Sequence, residues 1–321
     1  MNTILKTSNL NKVYRLGGLL FNRVRINALD DVNLTVESDE PAIISVVGES
    51  GSGKTTLAKV LLRLVRPTSG SALVYDRQIA GEGEKPSNRE FFGMVQPIFQ
   101  NPFEAFSSHR TVDAYLYSTA VRVADLEKTE AVDAMAEALR LVGLEYRDVR
   151  GKYPNQFSGG ELQRVSVARA LIPHPKIIVA DEPVSMIDAS LRMNVINLFL
   201  SLKEEFRRSF LYITHDLSTA YYISDYIAVM YRGCIVEFGD ARTILADPQH
   251  PYTQLLLDSI PEIGHKWDRE RMAMADIEAK EFQFEGCRFC NRCPIAKDRC
   301  IVERPLATEK TDGRKVYCHF A

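Results

Sequence analysis

Gly48-Glu-Ser-Gly-Ser-Gly53-Lys54-Thr55 lies between an apolar run, Ile43-Ile-Ser-Val-Val47, and a helix-like run, Leu57–Leu64. Strand, glycine-rich turn, Lys-Thr pair and helix, in that order, form the phosphate-binding loop pattern in its proper context. A chance glycine-rich turn would not bring all four parts in sequence. The chain is thereby committed to an α/β sheet that holds a nucleoside triphosphate. Glycines let the backbone curl until amides around Gly48, Ser50, Gly51 and Gly53 face the phosphate oxygens, and the following helix adds the positive end of its dipole. Lys54 supplies a mobile positive charge to the β- and γ-phosphates. Thr55 supplies a hydroxyl to Mg²⁺, an ion that keeps several waters and takes few protein ligands; Thr56 follows in the same site. The motif alone leaves kinase, GTPase and transporter open.

A second site narrows the choice. Lys176-Ile-Ile-Val-Ala180 is a short apolar run that reads as a buried parallel strand. It delivers Asp181-Glu182 at its carboxyl end, where open α/β sheets place their ligands. Asp181 is expected to hold Mg²⁺ directly or through water, and Glu182 to accept a proton from the attacking water. An acidic pair after a strand is often a solvated turn; the upstream loop makes function the better reading.

Phe157-Ser158-Gly159-Gly160-Glu161-Leu162-Gln163-Arg164 precedes a helical run, Val165–Leu171. Ser158 is a natural N-cap, and the paired glycines let an anion approach the exposed amides. Here the sequence resembles the ABC-type ATPases, whose signature L-S-G-G-Q matches Phe157–Glu161 with Phe for Leu and Glu for Gln. The resemblance implies an α/β P-loop NTPase (RecA-like) core with an antiparallel β subdomain and an α-helical subdomain, plus a small Cys-rich C-terminal extension. It also implies a head-to-tail dimer in which Ser158, Gly159 and Gly160 of one subunit close over ATP on the other. Glu161 places an anion near those phosphates.

Other positions match the same family one by one. Tyr14 stands where these ATPases carry an aromatic that stacks on adenine, and Gln100 matches the glutamine that senses Mg²⁺ and water. Asp188, in Ser185-Met-Ile-Asp188, matches the D-loop, and His215 the switch histidine that contacts the γ-phosphate. The resemblance thus assigns Glu182, His215 and Gln100 to catalysis and Thr55, Gln100 and Asp181 to Mg²⁺. A lone Tyr or His beside a strand is ordinarily a core residue, so order and spacing carry these assignments.

At 321 residues, with 45% hydrophobic and 26% charged residues, the chain can build one large α/β domain and an appendage. The expected division is an ATPase domain over 1–255, with its helical subdomain at about 101–165, and an extension over 256–321. A net charge of −2 gives no electrostatic support for a nucleic-acid binder. No apolar run approaches the ~18–20 residues that span a bilayer. The amino terminus lacks a signal-peptide pattern. A protein peripheral to the cytoplasmic face of the inner membrane is expected, with partner chains supplying the membrane role. Residues 3–47 read as short strands with a turn, and Gly17–Arg25 as an inserted loop packed over the first sheet, with contact to lipid headgroups as the alternative. Val132, Met135, Leu139 and Val142 mark one helical face; Leu191, Val195, Leu198 and Leu202 mark another.

The tail differs in kind. Asp247-Pro-Gln-His-Pro251-Tyr and Ile260-Pro261 resemble the tail of oligopeptide and dipeptide importers, and five of six cysteines follow at 287, 290, 293, 300 and 318. Clustered cysteines in a cytosolic chain argue for metal over disulfides. Cys-x₂-Cys suits tetrahedral zinc, and a C-x₂-C-x₂-C run with a distant fourth cysteine suits a [4Fe–4S] cluster. The family resemblance favours the cluster, on Cys287, Cys293, Cys300 and Cys318, with Cys290 as the alternative ligand. Cys234 reads as a small buried hydrophobe. A structural role is expected rather than electron transfer, because nothing else in the chain is redox chemistry. Because the cysteines are far in sequence from Lys54 and Glu182, loss of the cluster is expected to disturb tail folding and assembly before ATP binding.

Gly17–Arg25 and the run Gln100-Asn-Pro-Phe-Glu-Ala-Phe-Ser-Ser-His-Arg110 look more like the F-type than the D-type ATPase of this branch. The implied assembly is a heterodimer with a homologous D-type ATPase beneath two transmembrane permeases, fed by an extracytoplasmic solute-binding protein. Its cargo would be peptides, oligosaccharides, nickel or opines. A soluble ABC ATPase with an Fe–S or zinc regulatory tail, acting on nucleic acid or in assembly, is the alternative. It predicts tandem cassettes, long insertions or a basic face, and none is visible.

Overall fold

The computed structural model describes residues 2–16, 24–259 and 284–321. Its strands begin with β1 (Thr3–Leu16), β2 (Val24–Glu37), β3 (Ile43–Val47), β4 (Ser69–Val74) and β5 (Arg77–Ala80). They continue with β6 (Val95–Ile98), β7 (Ile177–Asp181), β8 (Ser209–Thr214), β9 (Tyr226–Tyr231), β10 (Cys234–Asp240), β11 (Thr308–Glu309) and β12 (Lys315–Val316). Most of the Gly17–Arg25 insertion and Ile260-Pro261 lie outside the described residues.

Two sheets form. One is antiparallel, in the order β2-β1-β4-β5. Val32, Leu34 and Val36 of β2 are buried while Asn33, Thr35 and Glu37 between them are more open, the period-two pattern of a sheet with one wet face. β1 and β2 are each 14 residues long, so the short strands expected over 3–47 are instead one long ribbon, broken by bulges that polar residues such as Asn9 and Asn11 accommodate.

The larger sheet runs β11-β12-β10-β9-β3-β8-β7-β6. β6, β7, β8, β3 and β9 are parallel. Every residue of β3 and β8 is buried, because a parallel sheet covered on both faces needs apolar strands throughout. The carboxyl ends of β3, β7 and β8 therefore emerge side by side, each feeding a functional loop.

Helices Val112–Arg122, Lys128–Leu141 and Gly159–Leu171 form the helical region, joined through Leu116, Met135, Leu139, Leu162 and Val165. The face of Lys128–Leu141 differs slightly from expectation. Ala131, Met135, Ala138 and Leu139 are buried, whereas Val132 is exposed, since the small Ala131 fits the tight contact where Val132 was expected. In Ala189–Glu204, Val195, Ile196, Phe199 and Leu202 pack inward and Leu198 is partly buried.

The tail joins the core. β12 pairs antiparallel with β10, Glu237 opposite Val316, and so extends the main sheet. Phe289, between two cysteines, is buried with Val47, Tyr231 and Tyr252. Gly286 is required by close approach: a Cβ there would sit 2.3 Å from the Cys300 carbonyl oxygen. Cys234 is buried, as expected.

Candidate active site

The loop after β3 turns sharply into helix Lys54–Leu61. Gly48 has φ +151°, and a Cβ there would meet the Met230 carbonyl oxygen at 2.1 Å, so no other residue fits without moving β9. Gly53 caps the helix in a left-handed conformation with no side-chain hydrogen bond to its first amides, and no acidic residue stands in its first turn. The amides are left for a ligand. The Lys54 ammonium bends back onto the loop, donating to the carbonyls of Gly48 (2.6 Å) and Glu49 (2.9 Å). Burial pulls its pKa down, opposed by the carboxylates of Glu182, Asp181 and Glu49.

From the neighbouring strand, β7 brings Asp181 and Glu182. The Thr55 hydroxyl donates to Asp181 Oδ1 at 3.3 Å. Burial raises the Asp181 pKa, and the Thr55 hydrogen bond acts against that. A hydroxyl and a carboxylate at this spacing suit an octahedral ion that retains waters. Glu182 adopts φ 46°, a left-handed conformation uncommon outside glycine. Its amide donates to the Ile213 carbonyl at 2.9 Å and its carbonyl accepts from Ser185 Oγ at 2.9 Å, which hold it there. The aimed carboxylate accepts from Gln100 Nε2 at 3.0 Å and meets His215 Nδ1 at 3.1 Å. Two residues from two other loops thus converge on one carboxylate.

Gly48, Ser50, Gly51, Gly53, Lys54, Thr55, Thr56, Gln100, Glu182 and His215 line a single cleft of about 800 Å³. Tyr14 is not among its walls, but pairs across the ribbon with Ile26, which is. Ser158, Gly159, Gly160 and Asp188 lie elsewhere, with Gly159 against the Met186 carbonyl just before Asp188. Ser158 caps helix Gly159–Leu171, and Glu161 folds back on it. Glu161 Oε2 accepts from the Ser158 amide at 2.9 Å and the Ser158 hydroxyl at 2.8 Å. Those bonds hold the Glu161 carboxyl below its usual range.

Residues 29–185 match the family model for ABC transporters, and residues 236–300 match that for the oligopeptide/dipeptide transporter C-terminal region. The chain is 34% identical to the di/tripeptide transport ATP-binding protein DppF of Pseudomonas aeruginosa strain UCBPP-PA14, over 100% of this chain and 98% of that protein. It belongs to the ABC transporter ATP-binding subunits. It is 35% identical to the oligopeptide transport ATP-binding protein AppF of Bacillus subtilis strain 168, over 99% of this chain and 97% of that one. Among solved structures, the dimeric ATP-binding cassette MJ0796 in a post-hydrolysis state with ADP and Pi superposes with TM-score 0.63 at 27% identity, covering 74% of this chain and 99% of that one. As an ABC ATPase, this subunit binds ATP with Mg²⁺ and hydrolyses it in an importer. No helix among the described residues is long and apolar enough to cross a membrane.

Three features of the cleft were not legible in sequence. Glu49 occupies a position the motif leaves unspecified. Leu255 and Leu256, from helix Pro251–Asp258, form part of the wall. Arg292, from the cysteine-rich tail, forms another part. The tail is therefore not remote from the nucleotide site, whatever its distance in sequence. Burial pushes the Cys287 thiol up to about 12, with Cys300, Cys293 and Cys318 adding to it. Among the described residues, no three His, Cys, Asp or Glu side chains converge on a single ion position.

Proposed function

We propose that this ATPase powers peptide uptake through two permease chains at the cytoplasmic face of the inner membrane, paired with a homologous D-type ATPase and served by an extracytoplasmic solute-binding protein. The full-length likeness to two subunits named for peptide transport favours peptides over oligosaccharide, nickel or opine. Reconstitution of the four chains with the binding protein in vesicles tests it. ATP-dependent accumulation of labelled di- or oligopeptides is expected. Accumulation of nickel or a sugar alone, with peptides ignored, would overturn the cargo.

The convergence of Gln100 and His215 on Glu182 beside Lys54 carries the catalytic reading. Glu182 takes a proton from the attacking water, held in place by the Gln100 amide and by the His215 ring. Lys54 leaves the loop carbonyls and turns to the β- and γ-phosphates, whose charge recovers the interaction lost on burial. Thr55, Gln100 and Asp181 would hold Mg²⁺, which would supply positive charge to the oxygens of the β- and γ-phosphates. Ser158, Gly159, Gly160 and Asp188, absent from the chain's own cleft, serve the site on the partner. Tyr14 stacks on adenine from the ribbon. The ATPase domain is taken as 1–255, with a helical subdomain at about 101–165, and the extension as 256–321.

For the tail we propose a [4Fe–4S] cluster on Cys287, Cys293, Cys300 and Cys318, a reading supported by the spacing of those cysteines. One zinc needs its four ligands around one point. A cubane takes one thiolate on each of four irons, so its ligands stand apart while remaining neighbours. Anaerobic purification should give brown protein with about four irons and four sulfides per chain, bleached in C287S but not in C290S. Colourless protein with one zinc per chain would overturn the cluster.

A further inference from the structure

The phosphate loop is held from outside by the tail. Arg292, between Cys290 and Cys293, makes a two-pronged ion pair with Glu49: Nη1 to Oε2 at 2.8 Å and Nη2 to Oε1 at 2.9 Å. Parallel bonds between guanidinium and carboxylate fix orientation as well as charge. Both side chains are mostly buried, at 17% and 33% exposed, which limits screening by solvent. The same loop residue is held by its backbone, because the Glu49 amide donates to the Tyr252 hydroxyl at 2.9 Å. Behind this contact the rings of Tyr231, Tyr252 and Phe289 meet at centroid distances of 4.6, 5.3 and 5.4 Å. The Arg292 guanidinium lies 5.8 Å from two of those rings, Tyr231 and Phe289.

Charge explains why the loop needs this brace. Glu49 lines the cleft that Lys54 also lines. A free carboxylate there would repel a triphosphate, and like charges at close range in a partly desolvated cleft interact strongly. Arg292 cancels that charge and turns the carboxylate towards the tail. We propose that Arg292 is a positioning residue for ATP binding, which neutralises Glu49 and sets the phosphate loop, so that this chain's own nucleotide affinity depends on a seated tail. The proposal rests on the cleft being the ATP site, and applies whatever metal the cysteines hold.

The test is equilibrium titration of the full chain with a fluorescent ATP analogue and Mg²⁺, beside KM and kcat in the assembled transporter. Arg292→Gln should weaken binding about tenfold, the scale of a lost charged hydrogen-bonding partner. KM should rise in step while kcat stays within about twofold, because Arg292 touches no reacting atom. Adding Glu49→Gln to that variant should restore affinity to within about threefold of the parent, since no orphaned charge remains. Unchanged affinity in R292Q overturns the proposal, and so does a double variant as weak as R292Q. Should R292Q not fold, the double variant is read against E49Q: both within about threefold of the parent supports the proposal, and a further tenfold loss in the double overturns it. Lys54→Ala runs alongside. If K54A binds as tightly as the parent, the cleft is not the nucleotide site; if K54A loses binding while R292Q keeps it, only this inference fails.

Discussion

Two helix starts in this molecule carry the same apparent equipment and are finished in opposite ways. Helix Lys54–Leu61 begins at Gly53 with its first amides uncapped by any side chain and no acid in its first turn. Helix Gly159–Leu171 begins at Ser158 with a complete capping box, in which Ser158 and Glu161 satisfy one another. The first leaves its donors and its dipole to a phosphate. The second has already engaged its Ser158 amide and hydroxyl with the Glu161 carboxylate, and its Glu161 amide with Ser158 Oγ. A ligand must displace Glu161 from the Ser158 hydroxyl before that hydroxyl can serve a phosphate. The difference teaches that paired glycines before a helix do not by themselves make an anion site; what occupies the third helical position decides whether the site is open at rest.

The largest expected effect lies at the open site. Glu182→Gln should retain ATP binding and lower turnover in the assembled transporter by at least ~10²-fold, the scale of losing a general base. Near-normal steady-state hydrolysis would remove Glu182 from that role and leave the fold untouched. At the closed site the effect should be smaller and of opposite sign. Glu161→Gln removes a charge from a helix N-terminus that favours anions by about 0.3–1 kcal/mol, but also removes repulsion against the incoming phosphate. A gain of about twofold to fivefold in hydrolysis on the partner's loop is expected in single-turnover assays, with a helix slightly less stable to heat. A loss of hydrolysis in E161Q would show that the carboxylate helps rather than hinders.

A third helix start sharpens the contrast. Helix Pro251–Asp258 is capped by His250, whose Nδ1 accepts from the Tyr252 amide at 3.0 Å, so the cap requires a neutral ring. Burial pulls the His250 pKa down to about 3, against about 6.5 in an unfolded chain. The unfolded state therefore takes up a proton that the folded state refuses. Stability from this group is complete above about pH 6.5 and declines as pH falls, at most ~1.4 kcal/mol per unit. Thermal melting should drop between pH 6.5 and 5, and His250→Gln should flatten that slope at the cost of a lower plateau. An unchanged slope in H250Q would place the acid sensitivity elsewhere.

Features set by local chemistry were legible in the sequence, and features set by distant meetings were not. The phosphate loop, the acidic pair after β7, the Ser158 cap and the strand before His215 each depend on a few adjacent residues whose backbone demands are specific. The Ser158–Glu161 box follows the Ser-x-x-Glu spacing, so even the closed state of the second site could have been read from the pattern. By contrast Arg292 and Glu49 are 243 residues apart, and nothing local to either names the other. The pairing of β12 with β10 was equally hidden, since a two-residue strand carries no periodicity. Val132 was misplaced because neighbouring Ala131 is a weak apolar signal, yet a small side chain is what close helix packing takes.

In the proposed dimer each nucleotide is held by one subunit's open loop and completed by the other's signature. Photolabelling the assembled transporter with a reactive ATP analogue, with Lys54→Ala in this chain alone, tests this most directly. Label should vanish from this chain and persist on its partner. Label retained on this chain and lost from the partner would contradict the arrangement.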